Sequence, residues 1–369
     1  MDRFGLSWRP ELALGIHSQA PRIDVLEFLA EPWFHASSTE LRTLAAWCAE
    51  KPVHLHGTTL GLASSALIDP QRLLAWSTLI SAVRPEYWSE HLSFVRAGGI
   101  EIGHLAAPPR TQETVRSAID NLARIRDQVG TYPLVENIAT LIRPPGSDRS
   151  EVSWLSDILI GSSGQLLLDL HNFYANSLNE GWDAIVGLKE LPIESIAGVH
   201  LAGGRTWHGR ILDDHLHSVP DQVFRLLEEL AALSPGPIDV ILERDGQFPS
   251  IDELLDELDK ARSCVLAGRQ RSLAEKNRFT PLQNCYEQTQ GLSSGTAATG
   301  LVLETLLARL YTDEPFRSSF LADPETVARA AGIQPSQLMA LVDVDRVGLD
   351  LASRSLLAKR AQRTSRSSR

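Results

Sequence analysis

The chain has 369 residues, 43% apolar and 22% charged, enough for one large domain of ~250–300 residues and a small appendage. A formal charge of −11 excludes general nucleic-acid binding, which needs a basic footprint. No apolar run approaches the ~20 residues that cross a bilayer, and Met1-Asp2-Arg3-Phe4-Gly5 lacks the basic segment and apolar core of a signal peptide. A cytoplasmic protein with no membrane partner is therefore expected. Cys48, Cys264 and Cys285 are widely spaced with no C-x-x-C pair, which suits a reducing compartment and excludes a cysteine-rich metal site.

Short apolar runs alternate with stretches of helical period up to residue 265. Strands are expected at residues 12–16, 25–29, 53–56, 87–92, 132–137, 166–171, 196–201 and 240–245. Amphipathic helices are expected between them, at 40–49, 70–83, 112–129, 151–160 and 220–233. This alternation predicts an α/β fold with a parallel sheet. Eight strands within residues 1–265 favour a TIM-type (β/α)8 barrel over an open doubly wound sheet. No glycine-rich dinucleotide or phosphate loop follows any strand, which removes the main reason for a Rossmann reading.

Residues 266–300, with Arg269-Gln270-Arg271-Ser272 and Gly291-Leu292-Ser293-Ser294-Gly295, read as a linker. A small all-helical domain is expected over 301–362. Leu303, Leu306, Leu307 and Leu310 recur at helical spacing, Asp323-Pro324-Glu325 is a helix start, and Gly332 is a helix stop. A further helix is expected over 343–361. The tail, 363–369, reads as disordered. From Arg354 onward it carries Lys359, Arg360, Arg363, Arg366 and Arg369 with no acid, so a basic end hangs from an acidic body.

Most expected strands close on an acid or a histidine. The runs are Leu55-His56-Gly57, Ser89-Glu90-His91, Val135-Glu136-Asn137, Leu168-Asp169-Leu170-His171-Asn172, Val199-His200-Leu201 and Leu242-Glu243, with Asp213 and His215 in the loop after the sixth. Active-site residues of a parallel barrel come from the C-terminal ends of its strands. Side chains alternate along a strand, so His54 with His56, and Asp169 with His171, share a face. A strand-end histidine taken singly is more often a capping or core hydrogen-bond partner than a ligand. Eight or nine in register reverse that balance, because so many carboxylates and imidazoles in one mouth need cations to neutralise them. The ligands outnumber what one ion needs, so two or three metals bridged by carboxylates is the economical reading. Imidazole and carboxylate without thiolate suit Fe, Mn, Zn or Co and do not choose among them. His54, Asn137 and Asn172 are expected to orient the ligands. His17, His35, His104, His208 and His217 have no comparable support, and Trp8, Trp33 and Trp88 read as barrel packing.

At these residues the chain resembles the multinuclear non-heme iron-dependent oxidative enzymes, the DUF692 family, related to xylose-isomerase-like TIM barrels. Gly5-Leu6-Ser7-Trp8-Arg9-Pro10, Leu26-Glu27-Phe28, Glu31-Pro32-Trp33, Ser89-Glu90-His91-Leu92, Glu136-Asn137, Val199-His200-Leu201-Ala202-Gly203, Asp213-Asp214-His215 and Leu242-Glu243 follow its segments in order from about residue 5 to 260. The resemblance implies His56, His91, Glu136, Asp169, His200, Asp213, His215 and Glu243 as ligands of two or three mixed-valence Fe(II)/Fe(III) ions, with O2 as co-substrate and Asn137 at or near a metal. It implies that the enzyme oxidises a residue of a ribosomally made precursor peptide: Cys most often, Asp or Asn in other members. Three positions depart from the pattern. His171 stands where the family commonly has Asn and adds a ligand or base; Gly204 replaces a histidine after Ala-Gly; Gly103-His104 replaces a His-Asp pair. The helical piece is similar to small proteins encoded beside such enzymes, which implies a fused partner that docks the peptide's leader, against the simpler reading of an extension packed on the barrel or on another subunit. The competing function is a Zn- or Mn-dependent barrel hydrolase or sugar isomerase acting without O2. The −11 charge weakens a nucleic-acid substrate, and no lysine stands among the strand-end motifs to assist an isomerisation.

Overall fold

The computed structural model describes residues 1–276, 298–342 and 344–367. Eight parallel strands close into a barrel, in chain order Arg3–Ser7, Val25–Leu29, Val53–Gly57, Tyr87–His91, Leu134–Glu136, Gln165–Asp169, Ile196–Leu201 and Asp239–Leu242. Each pairs with its chain neighbour, and the last pairs with the first through Arg3↔Asp239 to Leu6↔Leu242. Helices Ser38–Glu50, Pro70–Val83, Gln112–Val129, Glu151–Ser162 and Asp221–Leu233 cover the outside where amphipathic segments were expected. Their caps are those of the sequence: Ser37 accepts from Glu40 N while Glu40 answers to Ser37 N, and Asp69 accepts from Gln71 N ahead of Pro70.

One expected strand is misplaced. Residues 12–16 are not sheet: a 3₁₀ turn, Pro10–Leu12, runs into the helix Ala13–Ser18. The apolar spacing Leu12, Leu14, Ile16 fits a strand, but Leu12 and Ile16 are also one helical turn apart. The fold buries that pair and leaves Leu14 86% exposed. The true first strand, Arg3–Ser7, is half polar and contains Gly5, where a Cβ would collide with the Val25 carbonyl of the next strand. Other corrections are local. The sixth strand stops at Asp169, so His171 lies in the helix Leu170–Glu180 and not on a strand face. Residues 266–276, assigned above to a linker, are the last turns of the helix Ile251–Lys276. The Gly291–Gly295 stretch lies outside the described residues.

The C-terminal piece comprises the helices Ala298–Thr312, Glu314–Ala322, Pro324–Ala330, Pro335–Val342 and Arg346–Ser367. Asp323 caps the third by accepting from Thr326 N, and Gly332 follows it with φ +84°. The last helix takes in residues 363–367 of the tail expected to be disordered. This piece packs on the mouth of the barrel. Leu303, Leu306, Leu307 and Leu310 share a core with Phe94, Ala97, Ile102 and Ala106 of the hairpin after the fourth strand and with Ile142 after the fifth. Glu304 accepts from Ser64 Oγ and from Ser65 N and Oγ, at 2.8–2.9 Å, in the loop after the third strand. Asp345 pairs with Arg210, and Leu351 packs on Leu141 and Leu212. Among the described residues no helix is long and apolar enough to cross a membrane.

Candidate metal centre

The pleat fixes which side chains enter the barrel. Successive residues alternate between the interior and the surrounding helices, so an acid or imidazole at the penultimate or last position faces the mouth. His56, His91, Glu136, Asp169 and His200 occupy such positions, and Glu243 follows the eighth strand by one residue. All are buried. His215 arrives differently, from the turn after the hairpin formed by Gly204–Trp207 and Arg210–Asp213, with a left-handed φ of 55°.

The side chains form one connected constellation. Glu136 Oε2 lies 3.0 Å from His91 Nε2 and 3.3 Å from His56 Nε2, and its Oε1 is 3.1 Å from His200 Nδ1. Glu243 Oε2 lies 3.3 Å from His200 Nδ1 and 3.2 Å from His215 Nδ1. His215 Nε2 is 2.8 Å from Asp213 Oδ1 and 3.9 Å from Asp169 Oδ2. Four groups converge tightly enough to hold a metal ion: Glu27 with His56 and His200; His56 with His91 and Glu136; Glu136 with Asp169 and His200; Asp169 with His215 and Glu243. Adjacent groups share members, and of these the carboxylates Glu136 and Asp169 could bridge neighbouring ions.

Seven of the eight residues expected as ligands are in these groups. The eighth, Asp213, touches the constellation through His215 and His171. Glu27 is the residue that sequence reasoning passed over as a ligand. It sits in the middle of its strand and is fully buried, with Oε2 2.9 Å from His200 Nε2. A lone carboxylate inside Val-Leu-Glu-Phe-Leu was the available signal, since such a group is rarely buried without a partner.

The polar atoms in this mouth do not satisfy one another. Glu27 Oε1, Glu136 Oε2, Asp169 Oδ2, His171 Nε2 and His215 Nε2 are buried without an aligned hydrogen bond, although several have a neighbouring nitrogen or oxygen within about 3 Å. Lone pairs that approach closely yet miss one another are aimed at common points between them. That arrangement fits divalent cations and suits neither a hydrogen-bonded network nor an apolar core. Electrostatics agrees. Burial opposes charge on His91, His200 and His215, yet the surrounding carboxylates hold all three well above the ordinary histidine value. Burial likewise opposes charge on Glu136 and Glu243, and the facing imidazoles hold both below the carboxylate range. Asp169 goes the other way, pushed up to about 7 by burial.

Further contacts hold these groups in place. His56 Nδ1 lies 2.7 Å from Ser89 Oγ and His91 Nδ1 donates to the Gly57 carbonyl at 2.8 Å, turning both Nε2 atoms toward Glu136. Asp169 caps the helix Leu170–Glu180 with one oxygen, accepting from Asn172 N at 2.7 Å, and keeps the other free. Asn137 accepts from Asp169 N and donates to Asp169 O, so both ends of its amide clamp the backbone of Asp169. These contacts place Asn137 where it can orient Asp169, in line with the orienting role expected for it from sequence. Buried Arg9 bonds Asp245 Oδ1 at 2.6 Å and lies 3.6 Å from Glu243 Oε1, the one cation set among these acids within the described barrel interior. His54 does not orient a ligand as expected: it stacks on Tyr87 and lies 3.3 Å from Asp239, deeper in the barrel. Trp8 and Trp88 are packing, against Phe28 and Trp76.

Two of the departures noted in the sequence meet in space. His171 Nδ1 bonds Asp213 Oδ1 at 3.0 Å, and a Cβ on Gly204 would lie 2.6 Å from the His171 ring carbon Cε1. The imidazole at 171 fills the space that a side chain at 204 would enter. Above it, Lys359 of the last helix reaches within 4.0 Å of Asp213 Oδ2, so the C-terminal piece borders the site.

The fold and site define a closed (β/α)8 barrel with clustered histidines and carboxylates at its mouth that could hold metal ions. The chain belongs to the RiPP precursor modification enzyme family MbnB/TglH/ChrH, whose model matches residues 3–266. It is 34% identical over 382 residues to a UPF0276 protein of Streptomyces avermitilis, covering 97% of this chain and 77% of that one. A UPF0276 protein of Caulobacter vibrioides is 30% identical over 274 residues, covering 74% and 98%. Among solved structures, L-ribulose 3-epimerase is similar at a TM-score of 0.49 and 14% identity, over 76% of this chain and 100% of that one.

Proposed function

We propose that the chain is a multinuclear iron- and O2-dependent oxidase, acting in the cytoplasm on one residue of a ribosomally synthesised precursor peptide, with Cys the foremost target and Asp or Asn next. The observation that carries this reading is the overlap of ligand groups. Glu136 and Asp169 each belong to two of them, and carboxylates can bridge, so the site has room for more than one ion with shared carboxylates. Bound iron would supply the redox chemistry that activates O2. The histidine and carboxylate donor set has no thiolate, which suits such iron.

The chain's own groups do the rest. Glu27, His56, His91, Glu136, Asp169, His200, His215 and Glu243 would hold the ions, with Asp213 beside His215. Arg9 offsets part of the surplus negative charge and fixes Asp245 and Glu243. His171 Nδ1 lies 3.0 Å from Asp213 Oδ1 and its Nε2 is buried without a hydrogen-bond partner, which makes His171 the candidate for the group that takes a proton from the substrate. The most open ligands are His215 and Asp213, with side chains 13% and 12% exposed, so the peptide enters from their side. The test is metal analysis and Mössbauer spectroscopy of anaerobically purified protein, with O2 uptake measured on adding peptide. Two or three coupled irons per chain and peptide-dependent uptake are expected. One zinc per chain and no uptake would replace the oxidase by a hydrolase or isomerase reading.

A further inference from the structure

A groove of about 760 Å³ opens on the same rim as the metal centre. One wall is the loop after the fifth strand, with Pro144 and Pro145; the other is the helix Ala184–Glu190, with Val186 and the preceding Trp182. Arg210 of the hairpin and Val344 with Asp345 of the C-terminal piece complete it, so barrel and appendage build it together. Its apolar part is exposed rather than filled: Val186 is 56% and Ile185 beside it 38% accessible. Its polar lining is acidic. Glu151, Glu180, Asp183, Glu190 and Asp345 face Arg143 and Arg210. Arg210 is taken by Asp345, and Arg143 folds back on the carbonyls of Ser147 and Arg149. Buried Arg110 answers Glu151 and Glu180. Asp183 and Glu190, at the two ends of the helix that carries Val186, have no cation facing them in the groove among the described contacts.

Two elements run from this groove to the metal centre. The helix Leu170–Glu180 has His171 at its start and Glu180 at its end, nine residues or ~13 Å apart. The strand Arg210–Asp213 spans the gap in three steps, ~10 Å. Asn179 ties the two together through both backbone groups of Ile211. A separation of ~10–13 Å to the groove's near edge, at Glu180 and Arg210, is what three or four residues of extended chain cover. Asp183, three residues after Glu180, lies nearer that edge than Glu190 at the far end of its helix.

We propose that this groove binds the segment of the substrate peptide lying three or four residues from the oxidised position, and that it selects a Lys or Arg next to an aliphatic residue. The aliphatic side chain covers Val186, Trp182 and the two prolines, and the cation sits against Glu190 or Asp183. This rests on the reading above that the substrate is a peptide. Extended chain lying along the groove would pass Arg210 and reach the centre at Asp213 and His215.

The test uses full-length protein under anaerobic conditions and two fluorescein-labelled dodecapeptides, identical except for Lys-Leu-Lys or Glu-Leu-Glu four residues from a cysteine. Fluorescence anisotropy is expected to show the Lys peptide binding about fivefold more tightly, the size of effect that exposed charge pairs give. Glu190→Lys should reverse that preference, and Val186→Asn, which removes the apolar contact without adding charge, should weaken the binding of the Lys peptide. Both positions are exposed, and metal content should stay that of the wild type. Equal affinity for the two peptides, or a Glu190→Lys variant with unchanged preference, would overturn the groove. If the charge preference is found in protein that carries a lone zinc, the groove stands and the oxidase reading falls. If coupled iron is found without the preference, the reverse holds.

Discussion

Glu27 shows how one side chain can alter a site's charge count. A carboxylate in the middle of a strand, fully buried, is tolerable only if cations answer it. Its partner is His200, which also faces Glu136 and Glu243, so one imidazole cannot neutralise all three. A metal ion held jointly with His56 and His200 would resolve the imbalance. Glu27→Gln keeps the shape and removes the charge. It should lower metal content by about one ion per chain, or weaken retention of that ion at least ~tenfold, the scale on which lost ligand support is felt. Inductively coupled plasma analysis after dialysis against chelator reads this directly, and undiminished metal would remove Glu27 from the centre. Most of the constellation was legible because strand-end histidines and acids announce themselves by position. Glu27 was not, because it lies two residues short of its strand's end. The pairing of His171 with Gly204 was also hidden. The two are thirty-three positions apart, and only the packing of a helix against a hairpin brings them together.

Elements in this barrel serve the site through their ends. Asp169 closes the sixth strand, caps the following helix with Oδ1 and offers Oδ2 to the mouth. The two duties can be separated. Asn caps a helix about as well as Asp, whereas Ala does not. Asp169→Asn should therefore unfold near the wild-type temperature in metal-free protein yet bind less metal. Asp169→Ala should lose the same metal and a further ~1 kcal/mol of stability from the cap. Thermal unfolding of apo and metal-loaded forms checks both; equal apo stabilities for the two variants would mean that the cap contributes nothing. The same strand-to-helix junction explains an error of reading. An apolar run that ends Asp-Leu-His looks like continuous strand, and only the cap geometry turns the chain at Asp169. Period-two spacing misled in the same way at residues 12–16, where a helix buries alternate residues four apart. Glycine concealed the true first strand, because Gly5 contributes no apolar signal while permitting the closest approach to Val25. The five outer helices were plain because caps and long periodic faces reinforce each other.

At the scale of the whole molecule, the C-terminal helices and the barrel behave as one body around the mouth. Loops after the third, fourth, fifth and seventh strands all contact the appendage. Sequence pattern revealed the helices but not where they dock, since docking depends on long-range contacts such as Glu304 with Ser64 and Ser65. That contact makes the docking sensitive to pH. Glu304 is buried, and burial pushes its carboxyl up to about 7, against the lowering effect of the serine donors. Its folded value thus lies above the ordinary 4.5 of an exposed glutamate. A proton is held more tightly in the docked state, so the stabilisation is complete below the unfolded value and is lost as pH rises through 7. The shift corresponds to at most about 3–4 kcal/mol. Hydrogen exchange in the helix Ala298–Thr312 should accordingly quicken between pH 6 and 8 beyond its intrinsic base catalysis. Glu304→Gln keeps the shape, can accept from Ser65 through its oxygen and donate to Ser64 Oγ through its amide nitrogen, and cannot ionise. It should abolish that excess, leaving the helix more protected than wild type at pH 8 and little changed at pH 5. If the variant and the wild type exchange alike at pH 8, the ionisation of Glu304 does not govern how the cap sits on the barrel.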